Sequence, residues 1–199
     1  MNSYLKPSIF ILSLVPFLVI IFKIYFNQLG PEPVKEITHF TGEWTLIFIC
    51  LTLAMTPLKI LTNSPIWIKF RKMLGLFVFF YATLHMLIYV VIDYRLDFQS
   101  ILKDIMTKKF IFIGFSAWVL LLPLSLTSSK KAIYLLKDKW KKIHKLIYVI
   151  AILSIIHFAW LVKKDLTEPL IYGIIIIILL LFRVKYKIKN ILFKVLKSL

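Results

Sequence analysis

Acidic side chains are scarce in this chain: nine Asp and Glu stand against 26 Lys and Arg, a formal charge of +17. Glycine is scarcer, found only at positions 30, 42, 75, 114 and 173. Neither a G-x-G-x-x-G nor a Walker loop can be built from those five, so no nucleotide-binding domain is expected and any electrons the chain moves must come from outside. The single cysteine, Cys50, excludes an intrachain disulfide and any thiolate zinc or iron–sulfur site. It lies in an apolar stretch, where a small buried residue is its expected role. Paired carboxylates within an apolar stretch are missing, which argues against a proton-coupled carrier. No nucleophile–base–orienter set is visible either.

What the chain has in abundance is apolar surface. Hydrophobic residues make up 60% of it, and its mean hydropathy is +0.88. The run from Ile171 to Phe182 carries no charge. A soluble domain of this size would lack the polar surface to hide such runs from water, so the solvent must be lipid. Six apolar stretches, near 8–26, 40–58, 73–92, 110–127, 143–162 and 168–184, are each long enough to cross about 30 Å of hydrocarbon. The expected fold is an all-α integral membrane protein: a six-helix transmembrane bundle forming one domain over residues 1–199. Pro16, Pro57 and Pro123 fall in or at the ends of spans, where membrane helices tolerate them. The first stretch is long and lacks a small-x-small cleavage site, so it is expected to stay as the first span.

Loop charges set the expected orientation. The segment 59–72 holds Lys59, Lys69, Arg71 and Lys72 with no acid, 128–142 holds six lysines against Asp138, and the tail after 182 holds Arg183 and five lysines. Between them, 27–39 has Lys35 against Glu32 and Glu36, and 163–168 has two lysines against Asp165 and Glu168. The 93–109 loop is mixed. Basic segments alternate with balanced ones, which places both termini in the cytoplasm. The positive charge then serves topology and anionic lipid headgroups rather than nucleic acid, with an acidic cytosolic partner as a second use.

Four histidines remain to be placed. His85, two-thirds along the third span, and His157, at similar depth in the fifth, stand on helices running the same way. A lone intramembrane histidine is satisfied by an interhelical hydrogen bond. Two at matched depth provide what bis-imidazole haem ligation needs, namely two neutral rings facing one another in an apolar pocket. His144 precedes His157 by 13 residues, a rise of about 20 Å along an ideal helix, enough to separate two stacked haems. The same 13 steps leave the two side chains about 140° apart. The residue matching His144 on the third span, 14 before His85, is Arg71 and not a histidine. His144 is thus open to a second haem with a different partner, to a flavin, or to a lipid phosphate. His39, beside Glu36, Thr38 and Glu43, reads as an interfacial histidine, with too few ligands for a metal site. Trp44, Trp118 and Trp160 read as belt or packing aromatics, and Trp160, one turn after His157, is placed to pack against a haem edge.

Several strings of residues carry a family resemblance. Gly30-Pro-Glu-Pro-Val-Lys-Glu-Ile-Thr-His39-Phe-Thr-Gly42, Arg71-Lys-Met-Leu-Gly75-Leu, Tyr81-Ala-Thr-Leu-His85, Leu124-Ser-Leu-Thr-Ser128, Trp140-Lys-Lys-Ile-His144 and Ile156-His157-Phe-Ala-Trp160-Leu-Val-Lys163 resemble the MsrQ (YedZ) family, in order over nearly the whole chain. The resemblance implies a ferric reductase-like transmembrane domain in the bacterial inner (plasma) membrane, with haem b, one or two, and FMN as cofactors. It implies electrons drawn from quinol or a cytosolic flavin reductase. They would be passed to a periplasmic MsrP-type molybdenum reductase that repairs methionine sulfoxide. The family's haem-ligand positions fall on His85 and His157, with His144 as a further candidate. The single inner histidine departs from the paired pattern of related oxidases. Two rival readings are a stand-alone ferric or quinone reductase and a small permease with packed histidines. For the permease the sequence shows no convincing repeat of broken spans.

Overall fold

The computed structural model describes residues 4–198, with side chains through Tyr186. Its elements are α1 (Leu5–Tyr25), α2 (Pro33–Leu61), α3 (Ile68–Leu87), α4 (Phe98–Thr107), α5 (Lys109–Leu126), α6 (Lys130–Ile143), α7 (Leu146–Val162) and α8 (Thr167–Ser198). A 3-10 turn (Pro65–Trp67) leads into α3, and a π-helix (Ile88–Asp93) extends it. No strand occurs among the described residues. Five helices are long and apolar enough to cross a membrane: α1, α2, the run Ile66–Asp93, α5, and Thr167–Tyr186 of α8. The sixth expected span is α7, only 17 residues long, joined to α6 at a bend of 46°. The chain is a multi-pass membrane protein. The tail lysines from Lys187 onward lie outside the described side chains.

Two segments expected to be loops are helical. Ser129 caps α6, its side chain accepting from the Ala132 N–H, and Asp97 caps α4 by accepting from the Ser100 N–H. Such caps satisfy the orphan donors of a first turn. Both helices are amphipathic and do not qualify as spans by themselves. The fifth span was expected from 143. It starts at Leu146, because His144 and Lys145 form the bend after α6.

The core lies where α2, α3 and α7 meet. Ile49, Leu53, Val78, Tyr81, Ile150 and Ala151 are fully enclosed there. Tyr81 ties this core to α1. Its hydroxyl donates to the Ser13 carbonyl at 2.7 Å and accepts from the Phe17 N–H at 3.2 Å, beside Pro16. An α-helix interior normally pairs those two groups with each other, so the phenol stands in the turn that the proline disturbs.

Pro57 creates a similar gap in α2. Lacking an N–H, it leaves the Leu53 carbonyl without its helical donor. Arg183 of α8 fills the gap: Nη2 donates to the Leu53 carbonyl at 2.6 Å and to Thr56 Oγ1 at 3.3 Å. Its Nη1 donates to the Tyr148 hydroxyl at 3.1 Å, and the guanidinium lies 5.4 Å from the centre of that ring. One cation thus fastens α8 to α2 and α7 at the lysine-rich end of the bundle. Half-buried Cys50 packs against the core, as its apolar setting suggested.

Candidate cofactor site

α2 and α5 run away from the acid-bearing end of the bundle, while α3 and α7 run toward it. Between these four helices lies a cavity of about 410 Å³. His85 from α3 and His157 from α7 both line it. Their ring centres are 6.1 Å apart and the ring planes are nearly perpendicular, at 87°. The structure therefore brings together the two histidines that depth alone had paired.

Each ring is fixed in the same way. His85 Nδ1 lies 2.9 Å from the Thr38 carbonyl of α2, and His157 Nδ1 lies 2.7 Å from the Phe110 carbonyl of α5. A carbonyl only accepts, so both Nδ1 atoms carry the hydrogen and both Nε2 atoms keep a lone pair. Four residues beyond each carbonyl stands a glycine. A Cβ on Gly42 would sit 3.1 Å from His85 Cε1, and one on Gly114 would sit 2.7 Å from His157 Cε1. The glycines let each imidazole lie against the neighbouring helix while its Nδ1 reaches the carbonyl.

The two arrangements are copies. His157 follows His85 by 72 residues, Phe110 follows Thr38 by 72, and Gly114 follows Gly42 by 72. This internal repeat was not recognised in the sequence, because only the glycine and histidine recur as letters while the carbonyls can sit on any residue. The equal Gly–His spacing was the available signal. Both copies run the same way along the bundle, so they form a parallel repeat and not an inverted one.

The donor set suits a metalloporphyrin. Two metal–nitrogen bonds of about 2 Å, plus about 1.1 Å from each nitrogen to its ring centre, put the centres of two opposed imidazoles about 6.2 Å apart. The observed spacing is 6.1 Å. Backbone carbonyls on the distal nitrogens are the outer contacts that fix tautomer and ring orientation in metal-bound histidine.

The other candidates sit differently. His39 lines the same cavity, its ring 5.6 Å from that of Phe158, so it belongs to this site and not merely to the interface. Among the described residues no group of three His, Cys, Asp or Glu is placed to hold a metal ion. Trp118 also lines the cavity and donates from Nε1 to Thr83 Oγ1 at 3.2 Å. Trp160 does not reach the cavity, which agrees with its reading as a belt aromatic and not with a place against a haem edge. It faces outward beside Met106 and Phe112, and Leu161 takes the cavity position. Three steps leave a side chain about 60° from His157, whereas four bring it within about 40°.

His144 is remote from the cavity. It ends α6, stacked on Trp140 with ring centres 4.0 Å apart, and its Nδ1 lies 3.1 Å from the Trp140 carbonyl. Arg71 lies within electrostatic reach of it. The 46° bend next to His144 means that straight-helix geometry does not relate its direction to that of His157.

At the acid-bearing end, Tyr89 of the π-helix, Asp93, Tyr94 and Lys108 complete the lining. Tyr94 donates from its hydroxyl to Asp104, and Lys108 Nζ lies 2.6 Å from the same carboxylate. The Lys108 ammonium, aided by the Tyr94 hydroxyl, holds the Asp104 carboxyl below its ordinary range.

Comparison with known proteins fits this geometry. Residues 41–155 match the family model described as ferric reductase like transmembrane component. The chain is 46% identical over 157 residues to a protein from Xanthomonas oryzae pv. oryzae (strain MAFF 311018), covering 79% of this chain and 72% of that one. A Herminiimonas arsenicoxydans protein is 44% identical over 185 residues, covering 92% and 85%. One from Polaromonas naphthalenivorans (strain CJ2) is 43% identical over 182 residues, covering 90% and 83%. Each bears the name "Protein-methionine-sulfoxide reductase heme-binding subunit MsrQ". This chain belongs to the MsrQ family. The ferric reductase match takes in Gly42, His85, Phe110 and Gly114, begins three residues after Thr38 and ends two residues before His157. No solved structure shows significant similarity to this MsrQ family member.

Proposed function

We propose that this chain is the haem-binding membrane subunit of a methionine sulfoxide reductase system, with His85 and His157 as axial ligands of one b-type haem. One observation carries the reading: two imidazoles with ring centres 6.1 Å apart across an apolar cavity, each held through Nδ1 by a helix carbonyl. Bound there, haem b supplies a one-electron carrier within the bilayer. The chain's own part is positional. Thr38 and Phe110 hold both rings in the tautomer that leaves Nε2 free, and the apolar walls exclude water.

In this proposal the chain relays electrons from quinol or a cytosolic flavin reductase to a periplasmic MsrP-type molybdenum reductase. Reduction of methionine sulfoxide then lies on that partner. Both termini face the cytoplasm of a bacterial inner membrane, and the acid-bearing loops face the periplasm. His144, stacked on Trp140 near Arg71, is the residue offered for a second haem or for FMN at the lysine-rich end.

The test is spectroscopic. The purified protein should show a dithionite-reduced b-type α band and a low-spin ferric signal. His85→Ala and His157→Ala should each abolish the bis-imidazole signal. Its persistence in either variant would refute the ligand assignment, and its absence from the wild type would refute the haem.

A further inference from the structure

The cavity is two-faced. Its deep part is walled by buried Leu46, Ala117 and Leu121, while His39, Tyr89 and Lys108 gather at the acid-bearing end. They converge there because α2 and α5 start at that end and the π-helix finishes there. The Tyr89 hydroxyl is buried and makes no hydrogen bond of full geometry, its one polar contact being with the Tyr94 hydroxyl, which gives its own hydrogen to Asp104. A buried hydroxyl so poorly paired costs free energy and implies a partner that arrives later. Lys108 spends one bond on Asp104 and has two further N–H donors. This end sets three carboxylates, Glu43, Asp93 and Asp104, against the one ammonium of Lys108. It is therefore no general anion trap, and an acid group would have to be delivered by a body that fits the apolar part.

We propose that Tyr89, His39 and Lys108 form a carboxylate subsite for the acid side chains of a tetrapyrrole seated between His85 and His157. This rests on the haem reading above and adds an orientation to it: the macrocycle's acid edge turns toward the π-helix and α4, and its apolar edge toward Leu46 and Leu121. A hydroxyl donating to a carboxylate makes a charge-assisted bond, the stronger kind in an apolar setting.

The experiment removes the interaction from each side in turn. Apoprotein in nanodiscs is loaded with haem b or with haem dimethyl ester, which has no free acids, and affinity is read by spectral titration. Wild type should bind the ester at least about tenfold more weakly than haem b, equal to about 1.4 kcal/mol. Tyr89→Phe should weaken haem b by about tenfold and leave the ester unchanged, and Lys108→Gln should act in the same direction. A Tyr89→Phe loss equal for both haems, or absent for both, overturns the subsite. Should that variant fail to accumulate, equal wild-type affinities for the two haems overturn it alone. If the ester still gives the low-spin bis-imidazole spectrum, the ligand reading stands whatever becomes of the subsite. If neither haem gives that spectrum, both readings fall.

Discussion

Replacing Gly114 with alanine sets a methyl group 2.7 Å from Cε1 and Nδ1 of His157, whereas ordinary contacts of this kind lie at 3.4–4 Å. The imidazole must then retreat by at least 0.7 Å, the difference between 3.4 and 2.7. Its bond to the Phe110 carbonyl is 2.7 Å long, so an equal lengthening takes it past about 3.2 Å, where N–H···O bonds fade. A buried donor and acceptor left apart cost about 1–3 kcal/mol. A glycine in a helix interior otherwise gains about 0.8–1.0 kcal/mol on becoming alanine. The two terms have opposite signs, so the sign of the measured effect is diagnostic. Gly114→Ala should lower the Tm of the purified apoprotein, and in haem-loaded protein it should broaden or split the low-spin ferric signal. Gly42→Ala meets His85 at 3.1 Å and needs a shift of only a few tenths of an ångström, so it should be near neutral by both measures. A Gly114→Ala protein with raised Tm and an unchanged signal would show that His157 does not depend on this clearance.

Arg183→Met leaves the Leu53 carbonyl without a donor and should cost about 1–3 kcal/mol, read as a lower Tm. Adding Pro57→Ala restores a helical N–H to that carbonyl, so the double variant should recover part of the loss. Asp97 and Asp104 have carboxyls held below their ordinary range, by the Ser100 hydroxyl and the Lys108 ammonium respectively. The stability they lend α4 is complete above the unfolded carboxylate range and is lost as pH falls below about 4. The protection factors of the α4 amides, exchange corrected for its intrinsic pH dependence, should therefore fall below pH 4, and less steeply in Asp104→Asn. A fluorescent reporter that matures only in the cytoplasm, fused after Leu199, should light up, and a periplasm-dependent phosphatase fused there should be silent.

Much of this molecule was legible from sequence. The apolar stretches, their lengths and the alternation of basic and balanced loops depend only on local composition, and the helices appear where composition placed them. The matched depth of His85 and His157 followed from the fixed rise per residue. Segments 98–107 and 130–143 were read as loops because charge masked their amphipathic periodicity, though Asp97 and Ser129 were present as capping signals.

The remainder depends on direction around each helix. Azimuth accumulates at about 100° per residue, and a bend such as the one beside His144 resets it. Sequence therefore could not tell that His39 turns into the cavity. Partners supplied by the backbone are also invisible in a string of side chains. The Thr38 and Phe110 carbonyls orient the two imidazoles, and the Leu53 carbonyl freed by Pro57 receives Arg183 from 130 residues away. Composition alone determined that this chain lives in a membrane and that two histidines share a depth within it. Only the packing of α2 on α3 and of α5 on α7 decided that those histidines face one another, because a carbonyl and a glycine on a neighbouring helix set the direction of each ring.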